Sequence, residues 1–166
     1  MDVLETARLR LRPLTPDDAA FIYELVNDPD WIRFIGDRKV RTLDDARGYI
    51  GRVLASQDKL GFSLLHTALK DGTPAGLCGL IKRDAYENVD LGFAFLPAFR
   101  GRGYAAEAGE AVRDYGVEVL GLECLVAFTD TENQASCRLL ERLGFVYEGN
   151  IPWGEDEVST LYRYTP

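Results

Sequence analysis

Three apolar runs stand in series at residues 61–69, 75–83 and 88–96, joined only by short polar connections. Parallel neighbours in a sheet need a crossover of roughly a dozen residues or more, so these runs can pair only in the antiparallel sense. The first connection, Lys70-Asp71-Gly72-Thr73, contains the Asp-Gly pair that tolerates positive φ in a tight turn. The third run, Asn88-Val89-Asp90-Leu91-Gly92-Phe93-Ala94-Phe95-Leu96, stops at Pro97. A three-stranded meander therefore occupies the middle of the chain, and everything else must pack around it.

Before the meander, Arg8-Leu9-Arg10-Leu11-Arg12 alternates with a period of two, which sends the leucines to one face and the arginines to the other. This is a strand with one wet face, and its arginines read as solvated residues. Thr15-Pro16-Asp17-Asp18 opens a helix: a threonine cap, proline at the first helical position, and carboxylates facing the positive end of the dipole. Asp28-Pro29 is expected to end it. Thr42-Leu43-Asp44-Asp45 repeats the device for a second helix. Trp31 and Phe34 fall between the two, with Arg33 and Arg38, either lining a substrate pocket or plugging the core.

After the meander, the stretch from Tyr104 to Leu120 has helical spacing at Ala108, Ala111, Val112, Tyr115 and Val119, and Gly121 closes it. Residues 124–130 form a short strand, and a helix from about Glu132 to Leu143 follows. Strand, helix, strand in this order implies a right-handed crossover and a parallel pair. Two terminal strands complete the chain, around Val146 and around Tyr162. The coarse expectation is one α+β domain over residues 1–166 with a mixed sheet.

Composition removes several functions. The chain carries 19 Lys and Arg against 27 Asp and Glu, a net charge of −8, which argues against a nucleic-acid surface. The excess of carboxylates falls after residue 52, so an anion site there must rely on backbone donors. Cys78, Cys124 and Cys137 never form a C-x-x-C pair, so neither a disulfide framework nor a thiolate zinc site is indicated, and no metal is expected. The single histidine, His66, lies in an apolar run and reads as structural. Met1-Asp2-Val3-Leu4-Glu5 lacks the features of a secretory leader and no apolar run approaches a membrane span, which points to a cytoplasmic protein.

The most informative segment is Pro97-Ala98-Phe99-Arg100-Gly101-Arg102-Gly103-Tyr104-Ala105. Two glycines flank Arg102 immediately before a helix, so the backbone can turn tightly and present several amide N–H groups at the positive end of the dipole. Such a loop suits a pyrophosphate. Gly101-Arg102-Gly103-Tyr104-Ala105-Ala106 also fits the dinucleotide fingerprint G-x-G-x-x-G/A, but that glycine should follow its strand directly, and no βαβ repeat precedes it here.

Arg100-x-x-Gly103-x-Ala105 resembles the R/Q-x-x-G-x-G/A signature of the Gcn5-related N-acetyltransferases. Asn133-Gln134-Ala135-Ser136 followed by Leu139-Leu140-Glu141-Arg142-Leu143-Gly144-Phe145 is similar to the N-x-x-S…L-x-x-L-G-F segment of the branch that includes the ribosomal-protein-alanine N-acetyltransferases. The order of elements matches too, so the resemblance covers essentially the whole chain. It implies the acyl-CoA N-acyltransferase fold, a mixed and mostly antiparallel sheet of about six to seven strands with helices on both faces. It further implies acetyl-CoA as cosubstrate, with Phe93, Ala94 and Phe95 making backbone contacts to the pantetheine arm in a wedge between diverging strands. The amides of Gly101, Arg102, Gly103, Tyr104, Ala105 and Ala106 are assigned to the pyrophosphate, with Arg100 and Arg102 adding charge. Asn133 contacts the coenzyme arm, and Ser136 hydrogen-bonds the thioester sulfur or protonates the departing thiolate. Thr131-Glu132-Asn133-Gln134 also reads as a capping box, which leaves Asn133 in the first helical turn, free to point elsewhere.

Acetyl transfer to an amine needs a base, because a primary amine is mostly protonated at neutral pH. Asp90, on one face with Gly92 and Ala94, is the candidate, with Glu87, Glu123 and Tyr147 as rivals; a backbone N–H near Phe93 to Phe95 is the oxyanion donor. The expected activity is direct transfer from acetyl-CoA to a small amine or a peptide N-terminus, by a monomer or homodimer. Trp31, Phe34 and Trp153 should shape the acceptor pocket, and Glu155, Asp156 and Glu157 read as a solvated loop. A non-catalytic coenzyme-A-binding module and a dinucleotide-dependent oxidoreductase are the alternatives.

Overall fold

The computed structural model describes residues 3–166; Met1 and Asp2, part of the N-terminal segment read above, lie outside them. Eight strands form one sheet in the order β1-β2-β3-β4-β5-β6-β8-β7. The central meander is β3 (Leu64–Leu69), β4 (Pro74–Ile81) and β5 (Asp90–Phe95), paired antiparallel as its short connections require. β2 (Leu9–Arg12) adds to one side with Leu9 and Leu11 fully buried, and β1 (Leu4–Glu5) pairs with it. That two-residue edge strand takes the sheet beyond the six to seven strands expected, since a segment so short carries no readable periodicity.

After β5 the chain makes a 3-10 turn at Pro97–Phe99 and enters α4 (Tyr104–Glu118), which returns it to β6 (Leu125–Asp130). β5 and β6 are the sheet's one parallel pair among the described residues. α5 (Gln134–Arg142) leads into the hairpin of β7 (Val146–Pro152) and β8 (Val158–Tyr164), and β8 inserts between β6 and β7. α4 and α5 cover one face of the sheet, where Leu80, Ala108, Val112, Leu125 and Leu140 share a core. α1 (Ala19–Val26) and α3 (Leu43–Leu60) cover the other, with Ile22, Leu25, Ala46 and Ile50 packed on Leu77. Helices on both faces thus match the expectation.

Two helix boundaries differ from the sequence reading. Asp28-Pro29 does stop α1, but the same pair starts α2 (Pro29–Phe34), because proline's fixed φ suits a first helical position as well as it breaks an interior one. The segment carrying Trp31 and Phe34 is therefore helical. At the other end of the chain, Asn133 is the N-cap of α5 and not a first-turn residue: its side-chain oxygen accepts the Ser136 N–H at 3.2 Å. A turn closed by Asn133 N–H to the Asp130 carbonyl, 3.0 Å, carries the chain past Thr131 before the helix can begin. On α4, Val119 is 63% exposed and outside the buried stripe, lying just past the helix's last residue.

Candidate active site

β5 and β6 are in register at a single position, Asp90 opposite Val126, and then part. The ladder shows which groups this leaves bare. Leu96 N–H donates to the Ala75 carbonyl, so the even-numbered residues of β5 direct their backbone groups to β4. Phe93 and Phe95 face the opposite way, into the wedge. Ala94 does not: its amide belongs to the β4 ladder opposite Leu77, which corrects its assignment to coenzyme backbone contacts. What Ala94 contributes is its side chain, packed on the α1–α3 side.

The glycine loop sits at the end of this wedge. Gly101 and Gly103 have φ of +72° and +82°, the left-handed region where a side chain costs about 1–2 kcal/mol. Gly103 occupies the N-cap position of α4, so the first-turn amides of Tyr104, Ala105 and Ala106 have no partner within the helix. Arg8 holds the loop in place. Its guanidinium donates to the Arg102 carbonyl at 3.0 Å, pairs with Glu107 at 2.8 Å, and lies 4.4 Å over the Tyr104 ring. The strand arginines were read as solvated, but Arg8 is a tether and Arg12 makes a bidentate pair with buried Asp18 at 2.9 Å. No local signal could reveal this, since both partners come from other elements.

A cleft of about 1050 Å³ runs from this loop across the wedge to α2. Of the residues assigned to the coenzyme, together with Ser136 and Asp90, it is lined by all but Arg102, which is exposed and offers only its carbonyl to Arg8. Arg100 lines the cleft, yet its charge is already engaged: it donates to Asp28 at 2.7 Å and Asp30 at 2.5 Å, and its Nε donates to the Phe95 carbonyl at 2.9 Å. It ties the glycine loop to the start of α2, which leaves the loop amides as the donors open to an anion. Asn133 and Ser136 line the wall opposite, one turn apart at the start of α5.

Asp90 is 2% exposed, and burial pushes its carboxyl up to about 6 although Arg83 and Lys82 pull the other way. Arg83 donates through Nε to Asp90 at 3.0 Å. Glu87, Glu123 and Tyr147 do not line the cleft, and Glu87 and Glu123 are exposed. Trp31, Phe34 and Trp153 do line it. Arg83, Tyr49 and Phe128 were not anticipated. Arg83 follows β4 just beyond Ile81, which pairs with Asp90, so only the β4–β5 register could have found it. His66 is structural, buried beneath an edge-on contact with Phe21.

The wedge and loop fit coenzyme A. Unpaired strand amides match an extended amide-bearing arm, and helix-start amides beside two left-handed glycines match a pyrophosphate. This is the architecture of an acyl-CoA N-acyltransferase. Residues 8–146 match the acetyltransferase (GNAT) domain family. The chain is 30% identical over 152 residues to the uncharacterised N-acetyltransferase YoaA of Bacillus subtilis (strain 168), covering 89% of this chain and 84% of that one. Spermidine N(1)-acetyltransferase of Escherichia coli (strain K12) is 25% identical over 144 residues, 86% and 75% of the two chains. The crystal structure of an acetyltransferase from Agrobacterium tumefaciens str. C58 superimposes with a TM-score of 0.86 at 29% identity, covering 100% of this chain and 95% of that one. The chain belongs to the GNAT acetyltransferase family and is an acetyl-CoA-dependent N-acetyltransferase that transfers an acetyl group to an amine. The dinucleotide reading of the glycine loop is thereby overturned: one parallel strand pair in a mostly antiparallel sheet cannot form a doubly wound fold. Among the described residues, no helix is long and apolar enough to cross a membrane.

Proposed function

We propose that the chain catalyses direct acetyl transfer to a primary amine with both substrates bound together, Asp90 acting as base and Ser136 serving the leaving sulfur. Acetyl-CoA supplies the acetyl group as a thioester. Phe93 and Phe95 present backbone N–H groups to the wedge, where they hold the coenzyme arm and stabilise the oxygen on which negative charge develops. Asp90 takes a proton from the incoming ammonium, so that the neutral amine can form the C–N bond. Ser136 donates a hydrogen bond to the sulfur as the C–S bond breaks, and a proton returns to the thiolate. Asn133 keeps Ser136 in place by capping α5.

The parting of β5 from β6 beside a buried carboxyl poised near 6 carries this reading. It separates an enzyme from a non-catalytic coenzyme-binding module, which has no use for a desolvated carboxylate at the cleft. Thiol release on mixing acetyl-CoA with a panel of amines tests it. Amine-dependent release is expected, with parallel initial-rate plots absent. Coenzyme-induced thermal stabilisation without any turnover would favour the binding module instead.

A further inference from the structure

We propose that the acceptor amine carries an anionic group a few bonds from its nitrogen, and that Arg83 receives that group. This deepens the N-acetyltransferase reading of the cleft and rests on it. Arg83 is fixed by three contacts: its Nε donates to Asp90 at 3.0 Å, and its guanidinium lies 5.0 Å from the Trp153 ring and 5.8 Å from the Phe128 ring. Trp153 is fixed in turn, its ring stacked on Tyr86 with centroids 5.9 Å apart and its backbone N–H donating to the Glu157 carbonyl at 2.8 Å. Nη1 and Nη2 have no acceptor among the described residues, although Arg83 lines the cleft. A guanidinium held at Nε and flanked by aromatic rings presents its outer fork to a carboxylate or phosphate.

The charges around it point the same way. Arg38, on the connection between α2 and α3, also lines the cleft and has no ion-pair partner among the described residues. Asp28 and Asp30 share the Arg100 guanidinium, Asp130 accepts the Glu132 N–H, and Glu157 is exposed. A polycation would meet Arg38 without an ion-pair partner and the open outer fork of Arg83. Because Arg83 and Asp90 touch, an amine at Asp90 and an anion at the Arg83 fork are close together, the spacing of an amino acid or a short aminoalkyl phosphate. Ile32 and Ile35 line the cleft yet are 41% and 38% exposed, an apolar wall that suits an apolar substituent on the acceptor.

Matched amines test this: phenylalanine against phenethylamine, phosphoethanolamine against ethanolamine, and spermidine as the polycation, all assayed by thiol release. The wild-type protein is expected to prefer the anionic member of at least one pair by about tenfold or more in kcat/KM, and to use spermidine poorly. The carboxylate and phosphate pairs distinguish the two sources of charge. Arg83→Gln should bring the ratio within a pair close to one, while Arg83→Lys retains part of it. Any loss caused by disturbing Asp90 affects both members of a pair and cancels. A wild-type ratio near one in both pairs, a ratio unchanged in Arg83→Gln, or preference for spermidine overturns the inference while leaving N-acetyl transfer intact. Absence of turnover with every amine overturns both.

Discussion

Replacing Asp90 by Asn should make the protein more stable and nearly inactive. The carboxyl is 2% exposed and titrates near 6 in place of its ordinary 3.8, so at pH 7 the folded protein holds a charge it would prefer to neutralise. A shift of about two pH units corresponds to about 3 kcal/mol. The direction follows from proton counting: between pH 4 and 6 the native state binds the extra proton, so this group's contribution to stability falls as pH rises through that window and stays unfavourable above it. Asn resembles the protonated acid at every pH and can still accept from Arg83 Nε. Asp90→Asn should therefore gain up to about 3 kcal/mol at pH 7, equivalent to roughly 5–10 °C in Tm for a domain of this size, and nothing at pH 4. Denaturant titrations of both proteins from pH 4 to 8 measure the difference directly. Comparing the two cancels His66, whose proton affinity burial lowers and which favours folding at higher pH, opposite in sign. Activity should fall about 100-fold or more, and the wild-type rate should decline as pH drops through about 6. A variant no more stable than wild type at pH 7, or equally stabilised at pH 4 and 7, would refute the idea that burial strains this carboxylate.

Ser136→Ala should lower kcat about tenfold or more without changing the KM for acetyl-CoA; an unchanged kcat would make the hydroxyl a packing group. Gly103→Asp places a carboxylate at the proposed pyrophosphate site, where the added Cβ lies 3.2 Å from Arg8 Nη2 and the new charge can pair with it. Calorimetry should show at least about tenfold weaker coenzyme binding, with the circular dichroism spectrum retained. Arg8→Met removes a half-exposed pair, so denaturant titration should show a loss of no more than about 1 kcal/mol, while the KM for acetyl-CoA rises with kcat preserved.

Local sequence determined the elements. Short connections forced the antiparallel meander, the period of two set which residues of β5 share a face, and glycines at 101 and 103 supplied the only backbone that could turn there without strain. Motif resemblance then pointed to the proposed coenzyme side of the cleft, because the residues concerned lie within continuous segments whose order is fixed along the chain. The pairing of side chains between elements was decided by tertiary structure alone. Arg100 looked like a free cation beside an anion site until α2 brought Asp28 and Asp30 against it. Arg83 was only the last residue of the second apolar run until the β4–β5 register set it on Asp90 and the β7–β8 loop folded Trp153 over it. Asp90 itself was visible as a carboxylate on one face with Gly92 and Ala94, but burial raises its proton affinity toward that of the proposed base, and burial is a property of everything packed around a residue. For the proposed acceptor side the sequence offered only Trp31, Phe34 and Trp153, because α2, the end of β4 and the terminal hairpin meet there only in three dimensions.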